Sequence, residues 1–133
     1  MTAVVIDTSA VVAILRDEPE KDRFLDAILA ASPRLMSAVS VQEAEMVIAG
    51  RYGDEAVWEP LDALLARLDV EVVAHDAGLA RMAFLRFGKG RHPAGLNFGD
   101  CASYALAKAH NVPLLFKGGD FARTDIAVAV LAM

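Results

Sequence analysis

Cysteine is almost missing from this chain, and several kinds of protein are excluded with it. The 133 residues contain one cysteine, Cys101, so no internal disulfide can form and nothing points to an oxidising compartment. The cytoplasm is the expected location. The three histidines, His75, His92 and His110, are far apart, with no HExxH spacing and no cysteine pair, which argues against zinc. No GxGxxG follows a strand and no GxxxxGK run followed by Ser or Thr occurs, so an isolated GKG at 88–90 does not support nucleotide binding. Long apolar runs are absent too. Nothing approaches the roughly 18 uninterrupted apolar residues of a membrane span, so no membrane association is expected. The N-terminal run stops at Asp7 without basic residues before it, so it does not read as a signal peptide.

What the chain does have is enough apolar content, 56%, for a sizeable core, and its length suits one domain over residues 1–133, since single cores commonly reach about 100–150 residues. The net charge of −5 hides an asymmetry. Residues 1–76 carry 15 acidic and 6 basic side chains, whereas residues 77–133 carry 3 and 7. Between Arg81 and Lys117, six cations (Arg81, Arg86, Lys89, Arg91, Lys108, Lys117) accompany one acid, Asp100. Such a face suits a polyanion, or is an ordinary solvated surface.

Hydrophobic periodicity gives the elements. AVVI (3–6) is a continuous β-branched run, as in a strand buried on both faces, and ends at Asp7. Thr8 or Ser9 is expected to cap a helix through about Leu15, broken at Pro19. Phe24, Leu25, Ile28 and Leu29 mark a helix over 20–31. RLMSAV predicts a second strand, and Ser40 opens the next helix, ending near GRYG. A helix over 53–68 has Val57, Leu61, Leu64, Leu65 and Leu68 on one face, suited either to its own core or to a second protomer. VEVV (70–73) alternates as a strand, 76–87 is helical, and GKGRHPAGLNFG is a long polar loop of the kind that is more often functional than incidental. A helix from Asp100 to His110, the strand VPLLF and a KGGD turn follow, and IAVAVLAM predicts a buried strand or docking tail. The alternation implies a three-layer α/β/α fold with a mostly parallel central sheet.

Four acids stand at strand-to-helix junctions, on the rim where parallel sheets bind ligands. Asp7 ends the first strand, Glu43 lies in the first turn of the third helix, Asp100 opens the helix after the glycine-rich loop, and Asp120 follows VPLLF. Each has an ordinary reading: Asp7 as a helix cap, Glu43 as the partner of Ser40 in a capping box, Asp100 as a first-turn acid, Asp120 as a turn residue. Together, carboxylates gathered at one rim repel one another unless a cation lies between them. Oxygen donors of this kind select Mg²⁺ or Mn²⁺, and such sites serve phosphoryl chemistry.

The segments VVIDTSA, SAVSVQEA, LNFGDCASYALAKAH and LLFKGGDF resemble, in order and spacing, the PIN-domain ribonucleases of the VapC toxin type. The resemblance covers essentially the whole chain. It implies a parallel sheet flanked by helices, a Mg²⁺ or Mn²⁺ site, RNA hydrolysis leaving a 5′-phosphate and a 3′-hydroxyl, a homodimer, and inhibition by a small antitoxin protein. It places Asp7, Glu43, Asp100 and Asp120 in the family's acidic quartet, with Asp7 and Asp100 as principal metal ligands and Glu43 and Asp120 acting through water or a second metal. It also sets Ser9 behind Asp7, fixing its rotamer.

The chain departs from the family at Gly119, where many relatives have Asp or Asn, and it carries a further acid at Glu45, about 200° from Glu43 on an ideal helix. Arg86, Lys89, Arg91, Lys117 and Arg123, with His92, are the candidate RNA contacts, although Arg86 and Arg123 would equally suit an acidic segment of a partner. Phe98 and Phe121 are assigned to the core rather than to base stacking, and Cys101 to a buried thiol rather than a nucleophile. Two rival functions remain on the sequence: a phosphatase using Asp7 as nucleophile, in which Ser9 occupies the usual place of the general acid, and a non-catalytic metal-binding regulatory module.

Overall fold

Val4, Val5 and Ile6 are all buried, and they point alternately into two different cores, Val4 and Ile6 into one and Val5 into the other. This is the two-sided burial that the β-branched run predicts. The computed structural model describes residues 1–52 and 58–130. Its elements are β1 (Val4–Ile6), α1 (Thr8–Leu15), α2 (Lys21–Leu29), β2 (Arg34–Ser37), α3 (Ala38–Tyr52), α4 (Trp58–Arg67), β3 (Glu71–Val73), α5 (Ala77–Phe87), α6 (Phe98–His110) and β4 (Leu114–Leu115). A 3-10 turn spans Phe121–Arg123.

All four strands are parallel, in the order β3-β2-β1-β4. The alternation continues in β2 and β4. Met36 and Leu115 join Ile6, with Ile14 of α1, Ile28 of α2, Ile48 of α3 and Leu61 and Leu64 of α4; Leu35 and Leu114 join Val5, with Phe87 of α5 and Tyr104 of α6. Helices therefore cover both faces of the sheet, giving the three layers expected. Each fully buried Val, Leu or Ile contributes roughly 1.5–3 kcal/mol of transfer free energy. The strand order reverses at β1. The chain steps outward through β2 and β3 and then returns to the other side as β4, so the crevice beyond the carboxyl ends of β1 and β4 is the switch point where open α/β sheets bind ligands.

Several boundaries differ from the sequence expectation, each for a local reason. Helix α1 is capped by Asp7, whose Oδ2 accepts the Ser9 amide, and neither Thr8 nor Ser9 is the cap. Helix α3 begins at Ala38, directly after β2, with Ser37 Oγ accepting the Val39 amide. Ser40 is thus inside the helix, and the expected capping box with Glu43 does not form. Helix α6 begins at Phe98 because Asn97 caps it: Asn97 Oδ1 accepts the Asp100 amide and Asp100 Oδ2 accepts the Asn97 amide. Strand β4 shrinks to two residues after Pro113, which has no N–H to add to the ladder.

Leu61, Leu64 and Leu68 of the α4 region enter the chain's own core, whereas residues 53–57, including Val57, lie outside the described residues. The C-terminal segment pairs with β4 through a single bridge between Leu114 and Val128; residues 131–133 are also outside the description. The polar loop is pinned shut by backbone bonds from Leu96 to Phe87 and from Lys89 to Leu96, both 3.0 Å. Gly90 and Gly95 adopt φ of 84° and 62°, which a side chain would resist. Among the described residues no helix is long and apolar enough to cross a membrane.

Candidate active site

Asp7 leaves β1 at the switch point and is only 3% exposed. A carboxylate so placed must have its oxygens satisfied. Oδ1 accepts the Ser103 hydroxyl of α6 at 2.6 Å, and Oδ2 accepts both the Ser9 amide at 3.0 Å and the Ser9 hydroxyl at 2.7 Å. Those three bonds fill most of the roughly four lone-pair positions of a carboxylate, leaving one direction open on Oδ1. The donors are themselves held. Ser103 Oγ lies 3.0 Å from Ser40 Oγ of α3, the Thr8 hydroxyl donates to the Ser40 carbonyl at 2.8 Å, and Ser9 Oγ accepts the Lys117 amide at 3.0 Å. Ser9 thus donates to Asp7 through both its amide and its hydroxyl. Ser103 was not singled out from sequence, and Thr8 and Ser40 were read there only as helix-capping residues. The readable signal for Ser103 is its position three residues after Asp100, on the same helical face.

Glu43 and Asp100 join this pocket from two further elements. The Glu43 carboxylate packs directly on Gly99, so that a Cβ there would have to displace it. Burial raises its pKa, and the charge of Asp7 adds to the effect while the Thr8 side chain tempers it. Asp100, in the first turn of α6, is pushed up to about 6, chiefly by burial, partly offset by the Asn97 amide and reinforced by the charges of Asp7, Asp120 and Glu43. The four acids named from sequence thus act on one another in space. Glu45 is not among the charges that act on Glu43 or Asp100, and its backbone carbonyl accepts the Trp58 indole N–H at 2.9 Å. Asp120 is exposed just before the 3-10 turn, and its side chain makes no capping bond. Among the described residues no ion pair involves Asp7, Glu43, Asp100 or Asp120.

The cations are deployed differently from the sequence expectation. The Lys117 ammonium is held by Glu18 at 3.0 Å and Glu20 at 2.9 Å, which raise its pKa while it lowers that of Glu20. Arg86 and Lys108 pair with Asp125 at 3.2 and 3.1 Å. Asp125 also accepts the buried Tyr104 hydroxyl, the main reason its own pKa is lowered. The acidic partner suited to Arg86 is thus within the same chain. Arg91 Nε reaches the Leu85 carbonyl at 3.3 Å and Arg123 Nη1 the Pro93 carbonyl at 3.2 Å. Lys89 is exposed and has no ion pair among the described residues. His92 Nδ1 accepts the Ala94 amide and its ring meets Phe87 edge-on, so it serves the loop's own fold.

Phe121 is buried against Phe116, as expected. Phe98 is not in the core: it is 73% exposed. Cys101 is buried, and burial together with Asp100 raises its thiol pKa, which disfavours a thiolate nucleophile.

A family model described as the PIN domain matches residues 4–127. The chain belongs to the PIN-domain family. Within it the match is to VapC proteins: 52% identity over 131 residues to ribonuclease VapC30 of Mycobacterium tuberculosis, covering 96% of this chain and 99% of that one. Ribonuclease VapC of Mycolicibacterium smegmatis is 51% identical over 127 residues, covering 93% and 98%. This is a VapC-type PIN domain. Among solved structures, M. tuberculosis VapC20, described as a sarcin–ricin loop cleaving toxin, superposes with a TM-score of 0.69 at 20% identity, over 96% of this chain and 98% of that one. The VapBC2 complex of Rickettsia felis, bound to a promoter DNA fragment, gives 0.70 at 18%, covering 96% of each chain. These two likenesses bear on the PIN fold alone.

Proposed function

We propose that this VapC-type protein is a metal-dependent endoribonuclease and the toxin half of a toxin–antitoxin pair, working in the cytoplasm as a single-domain protomer of a homodimer. Its 52% identity to a VapC named as a ribonuclease supports the activity. The toxin–antitoxin complexes among its structural neighbours, from Rickettsia felis and Klebsiella pneumoniae, support a small antitoxin partner.

The observation that carries the chemistry is the buried Asp7 carboxylate, fixed by three donors, with two more partly buried acids beside it and no protein cation answering any of them among the described residues. That donor set, all hard oxygen and all anionic, fits Mg²⁺ or Mn²⁺. Among the described residues no three His, Cys, Asp or Glu side chains are gathered closely enough to hold an ion as they stand. Asp7 is the pre-set member, and the less constrained acids would adjust towards it. Asp7 and Asp100 would be the principal ligands, with Glu43 and Asp120 joining through water or a second ion. The metal would neutralise charge on the phosphate and lower the pKa of a water.

Glu43, whose carboxyl burial raises above its ordinary pKa, is suited to take a proton from the attacking water at its Oε. The water oxygen bonds to phosphorus, the P–O3′ bond breaks, and the departing 3′-oxygen is protonated from solvent, leaving a 5′-phosphate and a 3′-hydroxyl. Lys89, Arg91 and Arg123 are the cations best placed to meet RNA phosphates. Arg86 and Lys117 would first have to leave their carboxylate partners. The phosphatase reading is disfavoured because both Asp7 oxygens are already engaged, which suits a fixed ligand better than a nucleophile.

The test is incubation of the purified protein with total RNA in Mg²⁺, Mn²⁺ or EDTA. Cleavage with either metal, absent in EDTA and in Asp7→Asn, is expected. Cleavage that persists in EDTA contradicts the reading, and metal binding without any RNA turnover favours the regulatory module.

A further inference from the structure

Phe98 is the most exposed aromatic side chain among the described residues, at 73% of its surface, while Phe24, Phe87 and Phe121 are all nearly fully buried. Leaving a phenyl ring in water forgoes the roughly 1.5–3 kcal/mol that burial would return. Its position is specific. It is the first residue of α6, it directly precedes Gly99, on which the Glu43 carboxylate packs, and it lies two residues before Asp100. Its only ring neighbour among the described residues is His75, which follows β3 at the same carboxyl rim of the sheet. The two centroids are 6.1 Å apart and the planes inclined at 63°. A parallel stack would cover one whole face of the phenyl; in this inclined contact Phe98 stays 73% exposed, so aromatic surface is open to a further ring.

We infer that Phe98, steadied by His75, is a stacking platform for a nucleobase of the RNA strand bound at the acid cluster. The inference rests on the ribonuclease reading above and adds a base subsite to it. Single-stranded RNA is recognised largely by unstacked bases lying on aromatic rings, and a ring one residue from the acid pocket holds a base next to the scissile phosphate. A protein partner is the weaker occupant, because Phe98 does not line the apolar groove formed by the exposed side chains of α5. Leu79, Met82 and Leu85 line a separate groove with Ala105 and Ala109, in the C-terminal half of α6. Phe98, by contrast, is flanked by Asn97, His75 and the acids.

Four proteins decide the matter: wild type, Phe98→Ala, Phe98→Leu and Phe98→Tyr. Binding of a short oligoribonucleotide carrying 2-aminopurine is followed in EDTA by fluorescence quenching, cleavage of the same RNA is followed in Mn²⁺, and mass in solution is measured by ultracentrifugation. Affinity and cleavage efficiency should fall roughly fivefold to a hundredfold in Phe98→Ala and Phe98→Leu, chiefly through KM, with quenching lost. Phe98→Tyr should restore both, and the mass should not change. Wild-type quenching and rate in Phe98→Leu would overturn the inference, and so would a changed mass in Phe98→Ala, which would assign the ring to a protein interface. If wild type quenches the base but cuts no RNA in either metal, the nuclease reading fails and the platform stands. If wild type cuts RNA and Phe98→Leu matches it, the reverse holds.

Discussion

Asp7 and Asp120 occupy the same rim of the sheet under opposite mechanical regimes. Asp7 ends a strand buried on both faces and accepts three hydrogen bonds from donors that are themselves bonded. Asp120 stands exposed beyond the two-residue strand β4, after Gly118 and Gly119, with Gly118 at a φ of 109° and no capping bond from the acid's side chain. The difference teaches that one end of the pocket is ordered in advance and the other is free to adapt. An ion arriving there would find its first ligand fixed and recruit the others by small side-chain movements.

The largest effect should come from the fixed end. Asp7→Asn should lower Mn²⁺-supported RNA cleavage by at least about 100-fold, measured as initial rate, with a far-ultraviolet circular dichroism spectrum like that of wild type. Asp120→Asn losing as much would erase the contrast between the two ends. Ser103→Ala probes the support of Asp7. Losing a hydroxyl that donates to a buried carboxylate should cost about 1–3 kcal/mol in urea unfolding and roughly tenfold or more in cleavage rate. An unchanged rate would mean that Ser9 alone holds Asp7.

Asp100→Asn addresses the electrostatic cost of the acids in metal-free protein. The Asp100 carboxyl titrates at about 6 in the fold against an ordinary 3.8, so the folded state holds a proton that the unfolded chain has released. That stabilising contribution is complete below about pH 4 and is lost as pH rises through 6. In EDTA, Asp100→Asn should therefore melt with wild type at pH 4 and a few degrees above it at pH 8. A gap that narrows with rising pH would contradict the sign. The smallest effect belongs to Lys117→Ala. Its ion pairs with Glu18 and Glu20 are partly exposed, so Tm should move by no more than about two degrees, and a larger drop would show that the pairs help seat the Ser9 contact.

Much of this architecture was legible in the chain. The β-branched run at 3–6, the helical spacing at Phe24, Leu25 and Ile28, and the alternation of strands and helices follow from side-chain periodicity, which is a local property. The rim acids were legible because strand ends are. The hydroxyl network was not: Ser103 donates to a residue 96 positions away, and Ser40, which a capping-box pattern assigns to Glu43, turns instead towards Ser103. Local pattern cannot see such pairings, nor that Lys117 would be taken up by Glu18 and Glu20 from another part of the chain. Phe98 was misread for the related reason that phenylalanine is usually buried, whereas here it is the first residue of α6, after the Asn97 cap, and is exposed. The choice between Glu43 and Glu45 needed the fold as well, since both lie on one helix with apolar neighbours.

The central claim is that a fixed carboxylate at Asp7 anchors a divalent ion shared with the neighbouring acids. Calorimetric titration of Mn²⁺ into metal-stripped wild type and Asp7→Asn measures it most directly. Saturable uptake by wild type that Asp7→Asn has lost is the expected result. No uptake by folded wild type, even with RNA present, or equal uptake by the two proteins, would contradict it.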